Sequence, residues 1–154
     1  MKTAFVALAV MLAAGGTAGA GTTPAGTVPE VIDAFDRGDA AAAAATNTDD
    51  VSIVDEMAPH EWRGPGAFQA WAGALMAEAK ADGESGNRVT LGKTIRTQVD
   101  GDTAYVVAEA VYAYDQKGVA MAEPARMVFA LRKSGDVWKI KAWAWAGDEP
   151  HPGK

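Results

Sequence analysis

Asp55 is the residue best placed to do chemistry. It ends a short alternating run, Val51-Ser52-Ile53-Val54-Asp55, which as a strand puts Val51, Ile53 and Asp55 on one face. A carboxylate among apolar neighbours is poorly hydrated, and desolvation raises its pKa toward the range of a general base. The alternative is a structural acid that accepts hydrogen bonds from loop amides around Met57 to Trp62. That loop, Glu56 to Arg63, brings His60 and Trp62 nearby, and Gly64-Pro65-Gly66 opens a helix carrying Phe68 and Trp71. His60 could shuttle a proton or donate to a ligand, or it could simply be exposed or packed. Glu56 falls on the other strand face and is expected to be solvated. Trp62, Phe68, Trp71, Tyr112, Met127, Trp143 and Trp145 could line an apolar cavity for a flat or polycyclic molecule, or fill a core.

Other chemistries lack their residues. The chain has no cysteine and two histidines, His60 and His151, the second in a Pro/Gly tail, so no ligand set has metal spacing. There is no glycine-rich phosphate loop and no serine-nucleophile motif, and no cofactor is expected. A formal net charge of −6 with scattered acids argues against nucleic acid or an anionic membrane as partner.

The first residues predict an export signal: Lys2, an apolar stretch from Ala4 to Ala14, and a small-x-small site at Ala18-Gly19-Ala20. The apolar stretch is too short to span a membrane as a helix. The expected organisation is a signal over 1–20, a flexible tether over 21–27, one domain over 28–147 and a disordered tail over 148–154. The mature protein would reach the periplasm or the cell exterior.

Within the domain, Thr27 is expected to cap a helix opening at Val28-Pro29-Glu30 with Val31, Ile32 and Phe35 as its stripe. Gly38 ends it, and Asp39 caps a second helix over Ala40 to Ala45. The strand ending at Asp55 follows, then a helix from about Pro65 to Lys80 and a turn over Ala81 to Asn87. From Arg88 onward four long antiparallel strands are expected, separated by Asp100-Gly101-Asp102, Asp115 to Gly118 and Ser134-Gly135-Asp136. Pairing Tyr114 with Val119 would set Tyr112 against Met121 and Glu109 diagonal to Arg126, unless Pro124 bulges the strand. Trp143 and Trp145 alternate with Trp138 and Ile140, so only one set can face inward unless a bulge intervenes. The order of elements is α+β, with helices on the concave side of a curved sheet.

Several segments together resemble a known family: Phe35-Asp36-Arg37-Gly38-Asp39, Asp49-Asp50-Val51-Ser52-Ile53-Val54-Asp55, Gly64, Trp71, and Val137-Trp138-Lys139-Ile140-Lys141-Ala142-Trp143. The chain resembles NTF2-like proteins of the SnoaL-like and ketosteroid-isomerase-like group over roughly Val28 to Ala146. The resemblance implies a cone-shaped α+β barrel with an apolar cavity and a homodimer formed through the outer face of its sheet. It also implies a general base at Asp55 with an aromatic partner at Trp71. The isomerases' two oxyanion donors, however, correspond to Val31 and Met127. Losing one such donor typically costs about 3 kcal/mol in the transition state, so efficient ketosteroid isomerisation is not expected. Tyr112 or His60 could substitute.

Three readings follow. The first is an exported domain binding a small apolar or aromatic molecule. The second is a proton-transfer enzyme, an isomerase, cyclase or dehydratase, with Asp55 as base and Tyr112 or His60 stabilising the oxyanion. The third is a noncatalytic dimeric interaction module with a filled core.

Overall fold

The computed structural model describes residues 21–153, so the expected export signal lies outside the described residues. Helix α1 (Pro24–Asp36) begins about a turn earlier than the sequence suggested, because Thr23 rather than Thr27 is its cap: the Thr23 side chain accepts from the Gly26 amide. Thr27 is instead fully buried, and its hydroxyl donates to the carbonyls of Thr23 and Trp138 at 3.1 and 3.2 Å. The segment expected as a tether is thereby tied into the fold, and the Gly21 carbonyl accepts from the Trp138 amide at 2.9 Å. Helix α2 (Ala40–Ala45) is capped by Asp39 as expected, and its Ala43 is fully buried.

Strand β1 (Asn47–Val54) turns back into β2 (Glu61–Arg63), where Trp62 pairs with Ile53. Helix α3 (Ala67–Asp82) runs between Gly66 and Gly83, both left-handed. Since Gly83 caps the helix and β3 (Glu84–Asp100) starts at once, no separate turn occupies Ala81 to Asn87. Strands β4 (Thr103–Gln116), β5 (Val119–Ser134) and β6 (Val137–Gly147) follow. Their sheet runs β2-β1-β6-β5-β4-β3, with β1 parallel to β6 and the remaining neighbours antiparallel. The expected α+β architecture is present, but the curved sheet is open, with β2 and β3 at its ends, rather than a closed barrel. Helices α1 and α3 cover its concave face.

Two register details position the site. The β4–β5 hairpin turns on Lys117-Gly118 alone, both at positive φ, so Gln116 pairs with Val119. Relative to the four-residue turn expected, each inward residue of β4 meets a partner two positions further along β5. Tyr112 therefore faces Glu123 instead of Met121, and Glu109 lies directly opposite Arg126. Pro124 pairs with Val111 without a bulge. In β6, by contrast, a bulge is present: Ala130 pairs with Ala142 and Leu131 with Ile140, leaving Lys141 as the extra residue. It resolves the alternation of the tryptophans, since Trp138, Ile140 and Trp143 are all buried. Lys141 itself turns outward to the Asp50 carboxylate.

The expected disordered tail is also part of the sheet. β6 ends at Gly147 opposite Ala125, which leaves the first residues of β5 without a neighbour on that side. Strand β7 (His151–Pro152) fills the gap against Met121 and Ala122, and the amides of Asp148 and Gly153 bond to the Pro124 and Ala120 carbonyls.

Candidate ligand-binding cavity

A cavity of about 270 Å³ lies between α1, α3 and the concave face of the sheet. Its apolar wall comes from Val31 and Phe35 of α1, Phe68 and Trp71 of α3, Met127 and Phe129 of β5, and Trp143 of β6. The rings brace one another: Trp71 lies 5.3 Å from Phe35 and 5.5 Å from Phe68, and meets Trp143 nearly edge-on at 4.7 Å.

Asp55 stands on this wall, one residue past the end of β1. Its Oδ1 accepts from the Met57 amide at 3.1 Å, and its Oδ2 accepts from Trp71 Nε1 at 2.9 Å. The first bond closes the turn into β2. The second joins the strand to α3. Both oxygens are held, so the carboxylate has a defined orientation beside the aromatic cluster.

A second indole–carboxyl pair stands across β4, β5 and β6. Trp145 Nε1 donates to Glu123 Oε1 at 2.6 Å. Glu123 is only 3% exposed, and burial, reinforced by the neighbouring charges of Glu56 and Asp55, pushes its pKa up to about 7. Its seat depends on Gly147, where a Cβ would fall 1.8 Å from Glu123 Oε1. Glu56 also lines the cavity, where burial and the Asp55 charge raise its pKa. Tyr112 donates its hydroxyl to Glu84 Oε2 at 3.2 Å and accepts from Asn87 Nδ2, while burial raises the phenol well above its usual range.

The model of the SnoaL-like domain family matches residues 26–144. The chain belongs to this family. Similar solved structures include hexachlorocyclohexane dehydrochlorinase LinA-type3 from Novosphingobium barchaimii LL02, at 12% identity and a TM-score of 0.69 over 82% of this chain and 84% of that one. An NTF2-like protein with a cystatin-like fold from Novosphingobium aromaticivorans is 20% identical, with a TM-score of 0.61 over 79% and 77% of the two chains. A ketosteroid isomerase-like protein from Erwinia carotovora atroseptica is 19% identical, with a TM-score of 0.60 over 81% and 93%. These likenesses establish the fold. Among curated proteins, none matches the sequence.

The SnoaL-like domain brings Asp55, Phe68, Trp71, Tyr112, Met127, Trp143 and Trp145 together around one cavity. His60 and Trp62 stand apart from it. His60 occupies an exposed, left-handed position in the β1–β2 turn, where its backbone bonds to Met57 and Asp55 close the turn. Trp62 is buried in the core against Ile53. Glu56, expected in solvent, faces the cavity because the chain leaves the extended conformation after Val54 and strand alternation no longer applies. Glu123 escaped sequence reasoning. Its available signal was its place in the inward series Glu123, Ala125, Met127, Phe129, Leu131, an acid on an otherwise apolar face.

Proposed function

We propose that this SnoaL-like domain binds a small molecule with an apolar or aromatic frame in its cavity. The observation that carries the reading is the cavity itself, about 270 Å³ and walled by Phe35, Phe68, Trp71, Trp143 and Trp145. That volume lies just below the usual span of small-molecule pockets, about 300–1,000 Å³, and suits a small ligand. Such a space also departs from a filled-core interaction module. Three of the five tryptophans line it, so their fluorescence should change when a broad panel of aromatic compounds is titrated. Native mass spectrometry should show the bound mass. No response in either measurement would overturn the reading.

Proton transfer is the second reading, supported by the fixed orientation of Asp55 and by a structural relative named as a dehydrochlorinase. It is the weaker one, because the developing anion would find few donors. Val31 and Met127 present only apolar surface, His60 lies outside the cavity, and the Tyr112 hydroxyl is engaged by Glu84. Turnover of any panel compound by the wild type, abolished in Asp55→Asn while that variant still binds, would reverse this ranking.

The proposal extends to an exported homodimer assembled through the outer sheet face, where Tyr105 and Val111 are exposed beside the half-buried Val107 and Val128. Sedimentation of the mature chain should give twice the monomer mass. A mature N-terminus at Gly21 in the exported fraction tests the signal.

A further inference from the structure

We infer that the ligand selected by this cavity is an organic cation, a protonated amine on a small aromatic frame, with the buried Glu123 carboxylate as its counter-ion. The inference rests on the binding reading above and names the class of ligand.

The first ground is charge. Among the described residues, Asp55, Glu56, Glu78, Asp82, Glu84 and Glu123 all line the cavity, and no lysine, arginine or histidine does. The whole sequence has twenty acids against fourteen Lys and Arg. Six of those twenty acids therefore stand at this one site. A cavity of that sign attracts cations and repels carboxylates, phosphates and enolates.

The second ground is the burial of one of these acids. Glu123 is 3% exposed, lines the cavity, accepts from the Trp145 indole and, among the described residues, forms no salt bridge. Carboxylates are almost never fully buried without a positive partner, because the desolvation cost is otherwise uncompensated. In the free protein a proton can satisfy that requirement. A ligand ammonium would satisfy it better, adding Coulomb attraction and charge-assisted hydrogen bonds in a site shielded from water.

The third ground is the wall. Trp71, Trp143, Tyr112 and Trp145 line the space with aromatic rings, a residue type that attracts ammonium groups through the ring quadrupole and accommodates an aromatic frame. The charge is suited to an organic cation rather than a metal ion: among the described residues, no three His, Cys, Asp or Glu converge closely enough to hold one.

The test compares three one-ring probes of similar size and different charge, phenethylamine, phenethyl alcohol and hydrocinnamate, by tryptophan fluorescence and calorimetry. Phenethylamine should bind at least about tenfold tighter than the alcohol, weaken as salt is added, and exceed hydrocinnamate by more still. Glu123→Gln should cut amine affinity about tenfold and leave alcohol affinity unchanged, and Glu109→Gln on the outer face should change neither. Should Glu123→Gln fail to fold, Glu56→Gln in the adjoining loop carries the same comparison. Equal or tighter binding of the alcohol would overturn the cation while leaving a small-molecule cavity in place. Binding by none of the three would overturn the cation, and silence across the wider aromatic panel would remove the binding reading with it.

Discussion

Trp71 and Trp145 each hold a carboxyl at the cavity wall, but the two acids differ in their surroundings. Asp55 accepts from two N–H groups, one on each oxygen. Asparagine offers only one acceptor atom, so Asp55→Asn must turn an NH₂ toward one of these donors. A loss of roughly 1–3 kcal/mol in urea unfolding is expected, without loss of the folded spectrum. Glu123 behaves in the opposite sense. Its folded pKa of about 7 exceeds the ordinary 4.5, so between those values the native state binds more protons than the unfolded chain. Stability from this group is full below about pH 4.5 and is lost as pH rises through 7. Glu123→Gln should therefore gain on the wild type by roughly 1–3 kcal/mol on going from pH 5 to pH 8. Unfolding curves at both values check this, and a constant difference between the two proteins would contradict it.

At the level of elements, the Lys141 bulge lets one strand serve two layers. Before it, Trp138 and Ile140 enter the core; after it, Trp143 and Trp145 reach the cavity. Deleting Lys141 removes the extra residue and leaves Trp138, Ile140, Trp143 and Trp145 in strict alternation on one face. The deletion variant is therefore expected to keep cooperative unfolding and its near-ultraviolet circular dichroism, as is Lys141→Ala, which keeps the bulge and loses only the exposed Asp50 pair; a lost aromatic signal in the deletion alone would show that the bulge does more than set the alternation.

For the whole molecule, the segments at both ends of the described chain complete the sheet rather than trail from it. Gly21 bonds to β6, and β7 covers the backbone of β5 beyond the end of β6. Ending the chain at Gly147 uncovers that edge and removes Pro150 from the cavity wall. A loss of roughly 1–3 kcal/mol and greater self-association in size-exclusion chromatography are expected. How far the sequence alone reaches follows from the same geometry. Alternation, caps and turn residues are local, so they determined the α+β class, the helix capped by Asp39, the end of β1 next to Asp55 and the nearness of Trp71. Glu123 illustrates what is not local. Its partner Trp145 is 22 positions away, and their meeting depends on a two-residue turn, a bulge and a glycine that leaves room for the carboxyl. The outward placement of His60 and the strand role of the tail likewise depend on space that other elements fill or leave open. Local patterning by itself determined the fold and one wall of the cavity. Only tertiary structure decided the cavity's charge, because burial and register exist only once the strands have paired.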